Sequence, residues 1–131
     1  MILLDTHVLA WLVSRPEKLS RPAAAAIRRA RNSDGVAIAD ITIWELSMLF
    51  VRQVLRAPST IERAVEEILE RTGVNVRSIT PEIAALAAQF PHDYSHDPAD
   101  RLIGATARAE GIALVTRDEK IRSSVLLKTI W

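Results

Sequence analysis

Asp5, Glu45, Asp100 and Asp118 stand far apart along a chain of 131 residues, yet each follows a short apolar run or opens a helix-forming segment. Carboxylates gathered in one place repel one another unless a cation lies between them, so four such acids meeting would make a divalent metal site. Their oxygens are hard ligands suited to Mg²⁺ or Mn²⁺, and such an ion can acidify a bound water and neutralise charge on a phosphate. The chemistry on offer is metal-assisted hydrolysis. The acids meet if the runs Ile2 to Leu4, Val36 to Ala39 and Ala113 to Val115 are neighbouring parallel strands. In an open α/β sheet the ligand site lies outside the carboxyl ends of the strands, where Asp5, Glu45 and Asp118 would stand; Asp100 joins them only if the loop before its helix lies across that edge.

Each acid also has a plainer reading. Asp5 can cap the helix after the first strand, and Asp118 a short turn after Arg117. Thr42, Ile43, Trp44 and Glu45 match a capping box. Asp97, Pro98 and Asp100 offer a cap, a proline at the first helical position and an acid in the first turn. These readings explain the acids singly and leave their shared location to chance. Thr6 and Thr116, each beside a strand end, are placed to hydrogen-bond a ligand carboxylate. Asp40 reads as a surface turn residue. His7, His92 and His96 lack a zinc-ligand spacing and read as solvated. Arg28, Arg29 and Arg31 close a helix, where cations suit the dipole.

The elements that must position these residues follow from periodicity and turn chemistry. After the first strand, helices are expected over Thr6 to Val13 and Ser20 to Arg31, then a strand over Val36 to Ala39. A helix from Thr42 to Leu55 is apolar on two stripes, Ile43, Leu46, Phe50, Val54 and Trp44, Met48, Val51, Leu55, and so needs two partners. An amphipathic helix from Thr60 to Thr72 stops at Gly73, and a strand follows over Val76 to Ile79. A helix from Pro81 to Gln89, a polar loop from Phe90 to His96 and a helix from Pro98 to Glu110 ending at Gly111 come next. Ala113 to Val115 is a strand, Asp118 to Arg122 a helical turn, and Leu126 to Ile130 a last strand. Strands alternating with helices define βαβ units, hence a parallel sheet with helices on both faces.

The length and a 49% hydrophobic content suit one domain over residues 1–131. Seventeen Lys and Arg against 16 Asp and Glu leave a formal charge of +1, so any nucleic-acid surface must be a local patch. The absence of cysteine excludes disulfides, thiolate metal sites and a Cys nucleophile, and fits a cytoplasmic protein. No apolar stretch is long enough for a membrane span, so no membrane partner is expected.

The segments Ile2-Leu3-Leu4-Asp5-Thr6-His7, Thr42-Ile43-Trp44-Glu45, Asp97-Pro98-Ala99-Asp100-Arg101-Leu102-Ile103 and Leu114-Val115-Thr116-Arg117-Asp118 occur in an order that resembles a PIN-domain protein of the VapC toxin type. The resemblance spans nearly the whole chain. It implies a three-layer α/β/α sandwich around a parallel sheet, with Asp5, Glu45, Asp100 and Asp118 in one pocket. It also implies an endoribonuclease dependent on Mg²⁺ or Mn²⁺, acting as the toxin of a type II toxin–antitoxin pair. Asp5 and Asp100 are then the main metal ligands. Glu45 and Asp118 would act through water, position a second metal or help deprotonate the attacking water, and Asp97 fits the subfamily pattern beside them. The partners implied are RNA, a small VapB-like antitoxin and, with the double-striped helix, a second copy of the chain. Two other readings compete. A phosphoacceptor receiver also gathers acids and Mg²⁺ at strand ends, but pairs two acids after its first strand and places a Lys after its last, which this chain does not. A PIN fold that has lost activity and only binds a partner is disfavoured by the intact set of four acids.

Overall fold

The three innermost apolar runs are buried on both sides, and a strand so placed must pair in the middle of a covered sheet. The computed structural model describes residues 1–131. The chain runs β1 (Ile2–Leu4), α1 (Thr6–Ser14), α2 (Arg21–Arg31), β2 (Val36–Ala39), α3 (Ile41–Val51) and α4 (Ile61–Thr72). It continues with β3 (Asn75–Arg77), α5 (Pro81–Gln89), α6 (Pro98–Glu110), β4 (Ala113–Val115), α7 (Glu119–Arg122) and β5 (Thr129–Ile130). A 3-10 turn, Pro16–Lys18, links α1 to α2.

All strand pairs are parallel, in the order β3-β2-β1-β4-β5. The chain winds outward from β1 to β3 and then returns to lay β4 on the other side of β1. The crevice between the carboxyl ends of β1 and β4 is therefore the switch point at which doubly wound sheets bind ligands. A receiver places β1 between β2 and β3, so this order removes that alternative.

Period-2 alternation divides the sheet between two cores. Leu4, Val36, Ile38 and Val115 pack with Val8, Leu9, Ile27, Leu46, Val65 and Ile68, the inward stripes of α1 to α4. Leu3, Ala37, Ala39 and Leu114 face Ile83, Ala87, Ile103, Ala105 and Ile121 of α5 to α7. The result is the expected three-layer sandwich. Ser20, Thr60 and Thr80 accept amide hydrogen bonds at the starts of α2, α4 and α5. Gly73 and Gly111 take left-handed φ of 64° and 65° where α4 and α6 stop.

Four expectations are corrected. The double-striped helix stops at Val51, four residues early. Gln53 adopts φ 60°, the Gln53 amide donates to Phe50 O at 3.0 Å and the Val54 amide to Leu49 O at 2.9 Å. That is a Schellman closure built with glutamine in the place glycine usually takes, and it carries no glycine signal in the sequence. The third strand is Asn75–Arg77, because only those residues pair with β2, and Ile79 lies outside it. The last strand shrinks to Thr129–Ile130, where it meets β4. Finally, the loop after α5 is not merely polar. Phe90 and Tyr94 are buried in it, their rings edge to face at 4.8 Å.

Tyr94 lies against Gly104 so closely that a Cβ at residue 104 would collide with the Tyr94 hydroxyl and sit 3.2 Å from Phe90 Cε2. Overpacking of this kind costs about 1–3 kcal/mol. Gly104→Ala should lower stability by about 2 kcal/mol in denaturant melts, and adding Tyr94→Phe, which removes the colliding oxygen, should recover part of it. An unchanged midpoint for the single variant would show that the loop does not rest on this contact.

Candidate metal centre

Register explains how residues more than a hundred positions apart come together. Leu4 pairs with Val115 and the Asp5 amide donates to Val115 O at 3.0 Å, so the next residue of β4, Thr116, faces Asp5 across the ends of the two strands. Thr116 Oγ1 donates to Asp5 Oδ2 at 2.8 Å and accepts from the Asp118 amide at 3.1 Å. One hydroxyl thus ties two of the four acids together. Asp5 Oδ1 accepts from the Thr6 amide at 2.9 Å, which makes it the cap of α1 as well.

Glu45 reaches the same place from α3. Its Oε1 accepts from Thr6 Oγ1 at 2.5 Å. With the Thr6 proton so used, Thr42 Oγ1 donates to Thr6 Oγ1, 3.0 Å away. The capping-box reading of Thr42 and Glu45 is overturned: α3 begins at Ile41 after Asp40, and Thr42 lies inside its first turn, fully buried. Asp40 is itself more than a surface turn residue, since its Oδ2 accepts from the Ile79 amide at 3.0 Å and ties β2 to the segment after β3.

Asp97 caps α6 through the Ala99 and Asp100 amides, at 2.8 and 3.3 Å, with Pro98 at the first helical position. This puts Asp100 in the first turn, at the carboxyl edge of the sheet. The loop before it is pinned from two sides. Arg101 donates to Ala87 O, Phe90 O and Pro91 O at 2.8–3.2 Å, and the Tyr94 hydroxyl donates to the Asp100 carbonyl at 3.3 Å. Ser95 Oγ then donates to Asp100 Oδ2 at 2.6 Å. Asp118 caps α7 through the Ile121 amide at 3.1 Å.

Asp5, Glu45, Asp97, Asp100 and Asp118 all line one cleft of about 490 Å³, with His7, Val8, Trp11, Arg52 and Arg117. His92 and His96 lie outside it, where the His96 ring contacts the His92 carbonyl. Arg28, Arg29 and Arg31 end α2, which leads into the start of β2, and so occupy the opposite, amino edge of the sheet. Residues that periodicity did not single out are Ser95, Arg52, Trp11 and Arg117. Nothing in their spacing marks them, because four different segments place them: the loop before α6, the end of α3, α1 and the segment after β4.

The electrostatics are those of an uncompensated acidic cleft. Burial pushes the Asp5 carboxyl above its ordinary range, against the opposing hydrogen bonds of Thr116 and Thr6, and Asp118 adds to the rise. Burial likewise raises Glu45, with Asp5 and Asp97 contributing. Asp100 is pushed up to about 6 by burial and by the charges of Asp5, Asp97 and Asp118, while Ser95 pulls it down. Burial and the Asp100 charge also raise the Tyr94 phenol.

Glu45, Asp97, Asp100 and Asp118 each commit one carboxylate oxygen to the protein and leave the other without a protein partner. No three His, Asp or Glu side chains converge into a complete set of direct ligands. A donor set of anchored carboxylates at wider spacing fits Mg²⁺ or Mn²⁺ better than zinc, because Mg²⁺ keeps several waters and takes only one or two carboxylates directly.

Residues 2–124 match the PIN domain family model, and the chain belongs to the PIN-domain family. It is 38% identical over 122 residues, 93% of this chain and 90% of the relative, to ribonuclease VapC22 of Mycobacterium tuberculosis. Among solved structures, it shares its fold with VapBC2 from Rickettsia felis bound to a promoter DNA fragment. The TM-score is 0.73 at 15% identity, over 98% of this chain and 97% of that one. The DNA-bound VapBC from Salmonella typhimurium gives a TM-score of 0.72 at 20% identity, over 98% and 97%.

A carboxyl whose folded-state pKa lies above its ordinary value favours folding when protonated. For Asp100 that contribution is present below about 3.8 and is lost as pH rises toward about 6. At neutral pH without metal the charge is therefore a liability. Asp100→Asn in EDTA should raise stability at pH 7.5 by about 1 kcal/mol, less than the full shift implies because the half-exposed side chain is screened by water. At pH 4 the gain should vanish. Thermal melts at the two pH values check this, and a variant less stable than wild type at pH 7.5 would refute it.

Proposed function

We propose that the protein is a metal-dependent endoribonuclease that hydrolyses RNA phosphodiester bonds as the toxin of a toxin–antitoxin pair. The single observation that carries this reading is the lining of one cleft, at the switch point, by Asp5, Glu45, Asp97, Asp100 and Asp118. Membership of the PIN-domain family and the 38% identity to a ribonuclease support the substrate class. The whole chain is taken to act as one domain.

Asp5 and Asp100 are proposed to hold Mg²⁺ or Mn²⁺, with Glu45 and Asp118 reaching it through water or placing a second ion. When bound, the ion supplies Lewis-acid stabilisation of the phosphate and a more acidic water. Thr116 keeps Asp5 oriented and joined to Asp118, and Thr6 fixes Glu45 through Oε1. The unpartnered oxygen of Glu45, raised in basicity by burial and then by the charges of Asp5 and Asp97, is suited to accept a proton from the attacking water. Asp97 keeps the start of α6, and hence Asp100, at the edge of the cleft.

Partners are proposed on the face beside the cleft. Trp44, Val51 and Val54 are 57%, 59% and 65% exposed, and Trp44 and Met48 line an apolar groove of about 340 Å³ that shares His7, Glu45, Arg52 and Asp97 with the acidic cleft. An apolar surface continuous with an anionic one suits a short antitoxin segment carrying both apolar and cationic side chains. The exposed Val51 and Val54, at and just past the carboxyl end of α3 and outside the groove lining, suit a second copy of the chain.

Cleavage of single-stranded RNA should require Mg²⁺ or Mn²⁺ and stop in excess EDTA. Asp5→Asn and Asp100→Asn should each slow it by roughly 100-fold or more, and Thr116→Val by roughly 10-fold. Unimpaired cleavage by either Asp variant would remove the proposed mechanism.

Light scattering tests the dimer: the wild type should have the mass of two chains and Val51→Glu that of one. A monomeric wild type would show the exposed stripe to be free of a second copy.

A further inference from the structure

Trp11, at the rim of the acidic cleft, carries two cations on its ring. Arg117 Cζ lies 5.8 Å from the ring centroid and Lys18 Nζ 5.6 Å. The indole is braced from behind by Trp131, 5.9 Å away, and by His7 at 6.1 Å. Neither cation forms an ion pair, although Arg117 is next in sequence to Asp118 and lines a cleft with five carboxylates. Neither donates a side-chain hydrogen bond, whereas Arg63, Arg77, Arg101 and Arg108 all do. A cation held over an aromatic face keeps its charge and its donors available to a ligand.

A polyanion approaching a nearly neutral chain through an acidic cleft needs such charges at the entrance. The geometry points to a substrate-strand subsite in which Arg117 and Lys18, positioned by Trp11, bind backbone phosphates of single-stranded RNA next to the carboxylates. Arg117 and Trp11 line the same cleft as Asp5, Asp100 and Asp118, Lys18 lies over the Trp11 ring, and Arg52 lines both that cleft and the apolar groove. Arg52 is likewise exposed and free of ion pairs, which adds a further unpaired cation to the lining around the acids. Lys18 belongs to the 3-10 turn and Arg117 to the segment between β4 and α7, and both meet on the ring of Trp11 of α1. Trp11 is the positioning residue of the set.

This subsite rests on the ribonuclease reading but is tested apart from it. The affinity of a labelled single-stranded RNA is measured in EDTA, where no cleavage intervenes, across a range of KCl concentrations. Each lost phosphate contact lowers the slope of log affinity against log salt by about 0.7. Arg117→Gln and Lys18→Gln should each show that reduction, and the double variant twice it. Trp11→Leu should approach the double variant while Trp11→Phe stays near wild type, which separates positioning from general loosening. Arg31→Gln, at the far edge of the sheet, should leave the slope unchanged. Unchanged slopes for Arg117→Gln and Lys18→Gln in a wild type that binds RNA overturn the subsite and leave the ribonuclease reading standing. Weakened binding of poly-glutamate with an unchanged RNA slope would assign the cations to an acidic protein partner and equally overturn it. A wild type that binds no RNA would overturn both readings, whereas one that binds RNA but does not cut it with Mn²⁺ would sink only the catalytic one.

Discussion

Five carboxylates share one crevice, and most of the local structure counters their mutual repulsion. Burial and mutual charge push Asp5, Glu45 and Asp100 upward, and every hydrogen bond they accept pulls the other way. The compensating donors come from many elements: Thr116 after β4, Thr6 in α1, Ser95 in the loop before α6. The starts of α1 and α6 add the positive ends of their backbone dipoles, which favour acids in the first turn. The null explanation of Asp5, Asp97 and Asp118 as helix caps is therefore true and insufficient. Each spends one oxygen on its cap, and Asp97 and Asp118 keep the other free of protein partners.

That double duty explains what could be read in the sequence. Asp5 and Asp118 were legible because short continuous apolar runs fix where β1 and β4 end, and the carboxyl ends of parallel strands must share an edge. Asp100 was not, from spacing alone. Its place depends on a loop whose buried Tyr94 and Phe90 sit among His, Asp and Pro residues that read as solvated. Arg101, pinning three carbonyls of that loop, gives the Asp-Arg pair its structural sense. The family resemblance supplied this step before the geometry did. Thr42 misled in the other direction, since a Thr three residues before a Glu satisfies the capping pattern while the helix starts one residue earlier.

The end of α3 was illegible for a different reason. Helix stops announce themselves through glycine, and here Gln53 takes the left-handed position instead. A non-glycine residue in that region costs about 1 kcal/mol. The early stop turns Leu55 inward and leaves Val54 and Val51 exposed, so the apolar excess that two stripes promised is real but is distributed differently. Arg52, at the same stop, thereby comes to line both the acidic cleft and the apolar groove.

Net charge concealed this organisation. The formal +1 averages the cleft carboxylates with cations that do not pair with them, and the reason is structural: an aromatic ring, not a carboxylate, holds Arg117 and Lys18. Had Arg117 paired with Asp118, the pair would have neutralised a prospective ligand and a prospective phosphate contact together. Holding the cation on Trp11 leaves the carboxylates with their full demand for an external ion and leaves the guanidinium with its full fork of donors. In the proposed reading, a cleft arranged in this way suits a hard divalent cation together with a polyanion, because each supplies the charge that the other and the opposing wall lack.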